Sequence, residues 1–410
     1  MSTDNPALWR TVLICGAAVA FDGYDLVAYG TTLSELRAEW GISATQAGLL
    51  GSAPLIGMLL GSISAGALTS RWSRNTVLAA CVTWFSIFMA ACALAPGPGW
   101  FLALRFLSGL GLGATLPIAA AITQQAAPAG RRNLVYVIMQ SGFPLGGVAA
   151  ALAGMVLIPN FSWHAVYLMG ALPLITILPA ILFWLPREKS TPTELGGAMQ
   201  ALAPLFAPGW RVVTLLFWAL AFCAMLFVYG ANTWLPALMR ENGHGVTSSL
   251  VFLLTFNLGA IVGGVLAGWL ADRFGSRPVV AASFLLGAVA VGAFAFLRGE
   301  STLLLCAALA GYGAVGTQTL INSWATAAYP EAARVAGVGW ALGAGRLGGI
   351  LGPTLTGMVI ALGFTQTGPF LLFCVVAVVG AVLASGLRPP KQPAAVGSSP
   401  VVGIPVPAAH

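Results

Sequence analysis

Charge is what this sequence has least of: Asp, Glu, Lys and Arg make up 7% of its 410 residues, against 58% apolar ones. A soluble domain must cover most of its exterior with polar side chains, so this composition, with a mean hydropathy of +0.90, excludes one and leaves a polytopic membrane protein. Histidine is scarcer still, and His164, His244 and His410 all fall in expected loops or the tail. Together with the lack of any nucleophile–base pair, this excludes an enzyme active site and a histidine metal centre, so no cofactor is expected. The six cysteines, Cys15, Cys81, Cys92, Cys223, Cys306 and Cys374, stand singly in apolar runs without a CxxC pair. They read as small buried apolar residues, not as a disulfide framework. No G-x-x-x-x-G-K-[ST] loop is present, which argues against ATP as an energy source. The net charge of +7 would suggest nucleic acid in a soluble chain. Here it is first an orientation signal, and no nucleic-acid partner is expected.

What the sequence does have is apolar runs of bilayer-crossing length, about 20 residues at ~1.5 Å each. Twelve are legible, near residues 11–32, 44–69, 75–95, 100–126, 133–158, 164–185, 211–235, 247–271, 278–297, 302–328, 336–362 and 368–387. The first is uninterrupted by a cleavage signal and reads as a retained span. Pro54, Pro117, Pro144, Pro179 and Pro353 lie inside spans, where neighbouring helices can satisfy the freed backbone groups. With the N-terminus cytoplasmic, thirteen Lys and Arg fall on that side and only Arg37, Arg240 and Arg298 on the other. The bias predicts a multi-pass protein of a cell membrane, a bacterial inner membrane, with both termini in the cytoplasm and lipid around it.

Sliding the chain 202 residues along itself superposes Gly57 on Gly259, Gly61 on Gly263, Arg71 on Arg273, Gly109 on Gly311, Thr115 on Thr317 and Gly146–Gly147 on Gly348–Gly349. One offset fits spans 2 to 5 and 8 to 11. The reading is two homologous six-helix halves, 1–185 and 211–387, joined by a cytoplasmic linker at 186–210 and followed by a Pro/Ala/Gly-rich tail at 388–410 expected to be disordered. Parallel six-helix repeats are the architecture of alternating-access transporters, with the substrate site between the halves.

Motifs distributed from Asp22 to Pro353 then narrow the class. The loop "GWLADRFGSRP" at Gly268–Pro278 resembles the G-x-x-x-D-R-x-G signature of the major facilitator superfamily. With "DGYD" in span 1, "RFLSGLGLG" in span 4, "GFPLGG" in span 5, "WLPALM" after span 7 and "GWALGAGRLGGILGP" in span 11, the chain resembles the aromatic acid:proton symporters of that superfamily. The resemblance implies uptake of a benzoate-like or hydroxylated aromatic carboxylate driven by protons; the chain is expected to function as a monomer. It also implies gating roles for Asp272 and Arg273 and for Arg71 in the first-half copy of the loop. That copy, "GALTSRWSRN", departs from the pattern, with Ser70 in place of the acid and Ser73 in place of the glycine.

Few charges remain inside the spans. Asp22 and Asp25, at i and i+3, share a face of span 1, Asp22 near mid-depth. Burial disfavours an ionised carboxylate and a like charge nearby disfavours it further, so the pair can load and release a proton. The alternative is a packing pair held by polar neighbours. Arg105 in span 4 lies at a depth comparable with Asp25 and can neutralise it, or can snorkel to the nearer surface. Arg346 is about ten residues into span 11, too deep to snorkel, and needs an anion; a substrate carboxylate is one candidate, backbone carbonyls and water another. Gln318 and Asn322 at i, i+4 on span 10, with Asn257 on span 8, can read ring hydroxyls or act as interhelical glue. Among aromatic residues, Tyr24, Tyr29, Phe143, Tyr229, Trp234 and Trp324 offer stacking faces, Tyr24 and Trp324 being the favoured pair, while interface anchoring is the plainer role. Efflux of a drug-like solute, or a non-transporting sensor on the same fold, are the competing functions.

Overall fold

The computed structural model describes residues 6–128, 131–186, 205–297, 299–364 and 367–388. Of the expectations above, most of the linker (187–204), most of the tail (389–410), and Arg187, Lys189, Arg298, Lys391 and His410 lie outside them.

Inside hydrocarbon each backbone N–H must find its acceptor within its own segment, so the apolar runs become helices. We label twelve: α1 Pro6–Trp40, α2 Ala44–Arg71, α3 Arg74–Cys92, α4 Pro98–Ala126, α5 Leu134–Asn160, α6 Trp163–Trp184, α7 Arg211–Glu241, α8 Val246–Phe274, α9 Ser276–Ala293, α10 Glu300–Ala328, α11 Glu331–Ala361 and α12 Gly368–Gly386. Eleven are long and apolar enough to cross a membrane; α11, glycine-rich and carrying Arg346, lies among them against α2 and α7. The chain is therefore an all-helical membrane protein of twelve helices. Three are irregular: a one-residue break at Ser141 in α5, a 3-10 turn at Met169–Ala171 in α6 and a π turn at Tyr312–Gly316 in α10. Such a turn often marks a functional segment, and this one sits directly before Gln318.

The repeat extends further than the sequence match. The same 202-residue offset carries Ala44–Arg71 onto Val246–Phe274 and Pro98–Ala126 onto Glu300–Ala328, with ends agreeing within one residue. It also carries Gly41 onto Gly243, and both have positive φ, +62° and +93°, at the turn after α1 and α7, a conformation L side chains rarely adopt. The loop after α2 is where the halves part. Gly275, after α8, has φ +86°, whereas Ser73 has φ −61° and caps α3 by accepting from the Thr76 amide at 3.2 Å. Serine is tolerated at 73 because that loop never enters the left-handed region.

α1 is longer than the apolar run that signals it, continuing eight residues past Thr32 to Trp40. The added turns carry Glu35, Arg37 and Glu39, which leave the hydrocarbon layer and find partners on α6 and α7. Chain entry into α2 is fixed by a capping box between Ser43 and Gln46. We call the end where α1 and α7 begin the terminal end, and the other the distal end.

The halves meet through α1 with α7, α2 with α11 and α5 with α8. The named contacts between halves run from mid-depth to the distal end. Ser52 Oγ lies 2.7 Å from Thr354 Oγ1, Trp234 Nε1 donates to the Pro353 carbonyl at 2.9 Å within the second half, and Gly48 backs onto Pro353. Toward the terminal end the surfaces of α8 and α11 open, and no atom lies within 4 Å of where a Cβ would stand at Gly264, Gly268, Gly339 or Gly343.

Candidate functional site

Helix α1 crosses mid-depth with two acids that meet different neighbours. Asp25 Oδ2 accepts from Arg105 Nη1 at 2.7 Å, the same nitrogen reaches the Asp25 carbonyl at 3.1 Å, and Ser108 Oγ stands 3.5 Å from Oδ1. Tyr29 and Tyr167 flank the guanidinium, their ring centres 5.6 and 6.0 Å from its carbon. Both members of the ion pair are 0% exposed, so Arg105 points inward and does not snorkel. Its Nε and Nη2 have no hydrogen-bond partner among the described residues.

One turn back, Asp22 is also buried, and its Oδ1 has no hydrogen-bond partner among the described residues. Arg346, from the other half, and Asp25 both lie within electrostatic reach of it. Arg346 itself is half-exposed; its Nη1 lies 3.6 Å from the thioether of Met58 on α2, and it forms no ion pair among the described residues. Beside it, Tyr229 of α7 meets Phe143 of α5 edge-on at 6.4 Å across the two halves. Asp22, Phe143, Tyr229, Met58 and Arg346 thus converge from five helices.

The remaining sequence candidates fall in several places. Gln318 Nε2 donates to Asn322 Oδ1 at 3.1 Å on a half-exposed face of α10, and Gln318 Oε1 lacks a partner among the described residues. Asn257 is buried, donates to Asn232 Oδ1 at 3.1 Å and the Leu253 carbonyl at 3.0 Å, and presses its own oxygen against Gly147 of α5. That commits it to holding α8 on α7 and α5. The Tyr24 hydroxyl donates to the Val166 carbonyl at 2.9 Å, tying α1 to α6. Trp324 is buried edge-on against Phe217 at 5.3 Å, beside the Trp210–Tyr329 stack of the same half. Asp272, Arg273 and Arg71 are exposed at the terminal end, Arg273 over the rings of Trp269 and Phe274, with no ion pair joining the two loops among the described residues. Ser70 turns its hydroxyl back onto the Ala67 carbonyl of its own helix.

A second polar constellation lies at the distal end and was not legible from sequence. Arg37 pairs with Glu241 at 2.8 Å and Arg240 with Glu35, crossed ion pairs joining the ends of α1 and α7. Arg37 also lies over Trp234, 5.8 Å from its ring centre, and Trp163 Nε1 donates to Glu39. These charges look like ordinary loop residues in the sequence; only their opposite order on the two helix ends hints that they face each other.

The comparisons agree with this architecture. A sequence profile of the Major Facilitator Superfamily matches residues 13–256 and 217–410. The benzoate transport protein of Acinetobacter baylyi is 32% identical, covering 92% of this chain and 89% of its own. The 4-hydroxybenzoate transporter of Pseudomonas aeruginosa is 33% identical, covering 93% of each. Among solved structures, a D-xylose–proton symporter superposes with a TM-score of 0.79 over 93% of this chain and 98% of its own, at 17% identity. The chain belongs to the Major Facilitator Superfamily, where it groups with transporters of aromatic acids.

Proposed function

We propose that the protein imports a benzoate-like or hydroxylated aromatic carboxylate together with a proton. The observation that carries this reading is a half-buried Arg346 without an ion pair among the described residues, within electrostatic reach of a buried Asp22 whose Oδ1 has no hydrogen-bond partner among them.

The coupling follows from counting charge. With Asp22 ionised and no substrate, Arg346 and Asp22 sum to zero. With Asp22 protonated and a substrate carboxylate on Arg346, the sum is again zero. A protonated Asp22 beside an empty Arg346 leaves one buried positive charge, and an ionised Asp22 beside bound substrate leaves one negative charge. Isolated charges in low dielectric are costly, at least ~2.5–3.5 kcal/mol at the bilayer centre, so only the two neutral states reorient readily. Proton and anion therefore travel together, one for one. Asp25 is already neutralised by Arg105, so that pair holds α1 to α4 and fixes where Asp22 points.

Positive-inside places the terminal end in the cytoplasm. On that orientation the end where Gly264, Gly268, Gly339 and Gly343 border open space is the inner one, and the Glu35–Arg240 and Arg37–Glu241 pairs join α1 to α7 at the outer one. Asp272 and Arg273 close the inner side when the halves rock, with Arg71 opposite them. The relatives that transport benzoate and 4-hydroxybenzoate support an aromatic acid as cargo.

The test is uptake of labelled benzoate and 4-hydroxybenzoate into proteoliposomes with an acidic exterior. Free aromatic acids should compete far better than their amides or methyl esters, which keep the ring but lose the charge. Equal competition by the neutral analogues would end the carboxylate–arginine reading, and accumulation without a proton gradient would end the coupling.

A further inference from the structure

Five of the seven tyrosines have committed hydroxyls. Tyr24 bonds Val166, Tyr29 bonds Ala47, Tyr167 bonds Thr32, Tyr312 bonds Ser283 and Tyr329 bonds Thr214. Tyr136, on the terminal-end segment of α5, and Tyr229 make no hydrogen bond among the described residues. Tyr229 alone of these two stands at the mid-depth site. Its hydroxyl lies in the field of both Arg346 and Asp22, that of Arg346 being the stronger.

The position of the ring is built in. Gly349 is three residues from Arg346 on α11, and a Cβ there would stand 2.7 Å from Cδ2 of Tyr229. The ring therefore occupies a notch that exists because residue 349 has no side chain, one turn from the guanidinium. Its edge-on partner, Phe143, comes from the other half, and both rings are half-exposed. No structural hydrogen bond explains a buried-side phenol here, and an apolar residue would pack as well if packing were its only task.

Building on the transport reading above, we propose that Tyr229 determines specificity: its O–H donates to the carboxylate held by Arg346, and its ring, with that of Phe143, forms the wall against which the substrate ring lies. An arginine fork uses two lone-pair directions of a carboxylate and leaves others for a hydroxyl donor. The wall lies beside the anion site, so a ring attached directly to the carboxylate meets it and a ring on a longer spacer overshoots it. Benzoates are thereby favoured over arylpropionates, and planar rings over saturated ones.

The experiment is equilibrium binding to purified full-length protein without a proton gradient, using benzoate, cyclohexanecarboxylate and 3-phenylpropionate. Tyr229→Phe keeps the ring and removes the donor; affinity for all three acids should fall about 10- to 100-fold, as for a lost hydrogen bond to a charged group, with their ranking unchanged. Tyr229→Leu should in addition erase the preference for benzoate over cyclohexanecarboxylate. Gly349→Ala, which displaces the ring but leaves the phenol, should reduce that preference without abolishing binding, and serves where Tyr229→Leu fails to fold. Unchanged affinity in Tyr229→Phe, or an unchanged ranking in both Tyr229→Leu and Gly349→Ala, would overturn the proposal. Wild-type protein that binds none of the three would instead overturn the transport reading on which it rests.

Discussion

The buried Asp25–Arg105 pair gives the sharpest energetic expectation. Replacing Arg105 by Met removes a guanidinium at 2.7 Å from Oδ2 and 3.1 Å from the Asp25 carbonyl, and leaves a fully buried carboxylate with only Ser108, at 3.5 Å, as a partner. Breaking one side of such a pair costs about 3–5 kcal/mol, because the surviving charge stays buried without compensation. Loss of the flanking Tyr29 and Tyr167 contacts adds roughly 0.5–1 kcal/mol. Asp25→Asn orphans the cation instead and should cost a similar amount. The double variant, Asp25→Asn with Arg105→Met, buries no charge at all, so it should be more stable than either single one, with a coupling energy of at least about 2 kcal/mol.

The protein carries its own probe for this measurement. Cys374 is only half-buried and is first replaced by Ser; the other five, Cys15, Cys81, Cys92, Cys223 and Cys306, are buried and free, so a thiol-reactive fluorophore then lights up as the bundle opens on heating. Cys92 senses the charges of both Asp25 and Arg105, and labels when that region loosens. Each single variant should melt well below wild type and the double variant between them and wild type. Additive losses in the double variant would refute the pairing energetics, since residues in direct contact must couple.

Three further outcomes follow. Arg240→Glu places two acids at the end of α7 against Glu35 and should raise labelling of a cysteine introduced near Gly48 from the outside; Glu35→Arg in the same chain should restore it. Each half-exposed pair contributes only about 0.2–1 kcal/mol, so the shift in population is a few-fold and shrinks at high salt. Asp22→Asn should bind substrate at any pH yet fail to accumulate it under an imposed proton gradient, and accumulation by this variant would place the proton elsewhere. Met58→Leu, which keeps the volume and removes the thioether 3.6 Å from Arg346, should leave the fold intact and alter substrate affinity by no more than a few-fold; a large loss would mean that Met58, and not the substrate, is the main partner of Arg346.

Much of the fold was legible because hydrocarbon enforces it. Runs of apolar residues must be helices there, and a fixed offset of glycines discloses the duplication before any coordinate is known. Boundaries were less legible: α1 runs on to Trp40 through Glu35, Arg37 and Glu39, which look like a loop until their partners on α6 and α7 are seen. The site was legible where a charge had to be explained. Asp22, Asp25, Arg105 and Arg346 stand out because burying them is expensive, whereas Met58 is ordinary in an apolar span and Tyr229 and Phe143 are two aromatic faces among six, behind the favoured Tyr24 and Trp324. What distinguishes them is contact across the two halves, a relation between residues 58 and 346 or 143 and 229 that no local pattern carries. Amides mislead for the opposite reason: Asn257 is as polar as Gln318 but is used up between α5, α7 and α8.

The duplication also shows where function broke the symmetry. At the repeat offset, Asp22 corresponds to Ala224, Asp25 to Phe227, Arg105 to Ala307 and Arg346 to Pro144. Where the first half has its ion pair, the second has Phe227 stacked on Phe373 and a buried alanine, an ordinary apolar core. The backbone is repeated, but the acids belong to one half and the anion-seeking cation to the other. On the coupling proposed above, neither half alone can hold the neutral combination of Arg346 with Asp22, or of Arg346 with a substrate and a protonated Asp22. Neutrality at mid-depth therefore depends on the two halves staying in register across the interface of α1, α2, α7 and α11. On the coupling proposed above, a rocking motion that preserves this interface while exchanging the open end would keep proton and substrate bound together. If coupling instead resided within one half, transplanting Arg346 to position 144, as Arg346→Ala with Pro144→Arg, would retain proton-driven uptake. On the coupling proposed above it loses that uptake, because Arg346→Ala strips the second half of its cation and the substrate carboxylate no longer has a partner there.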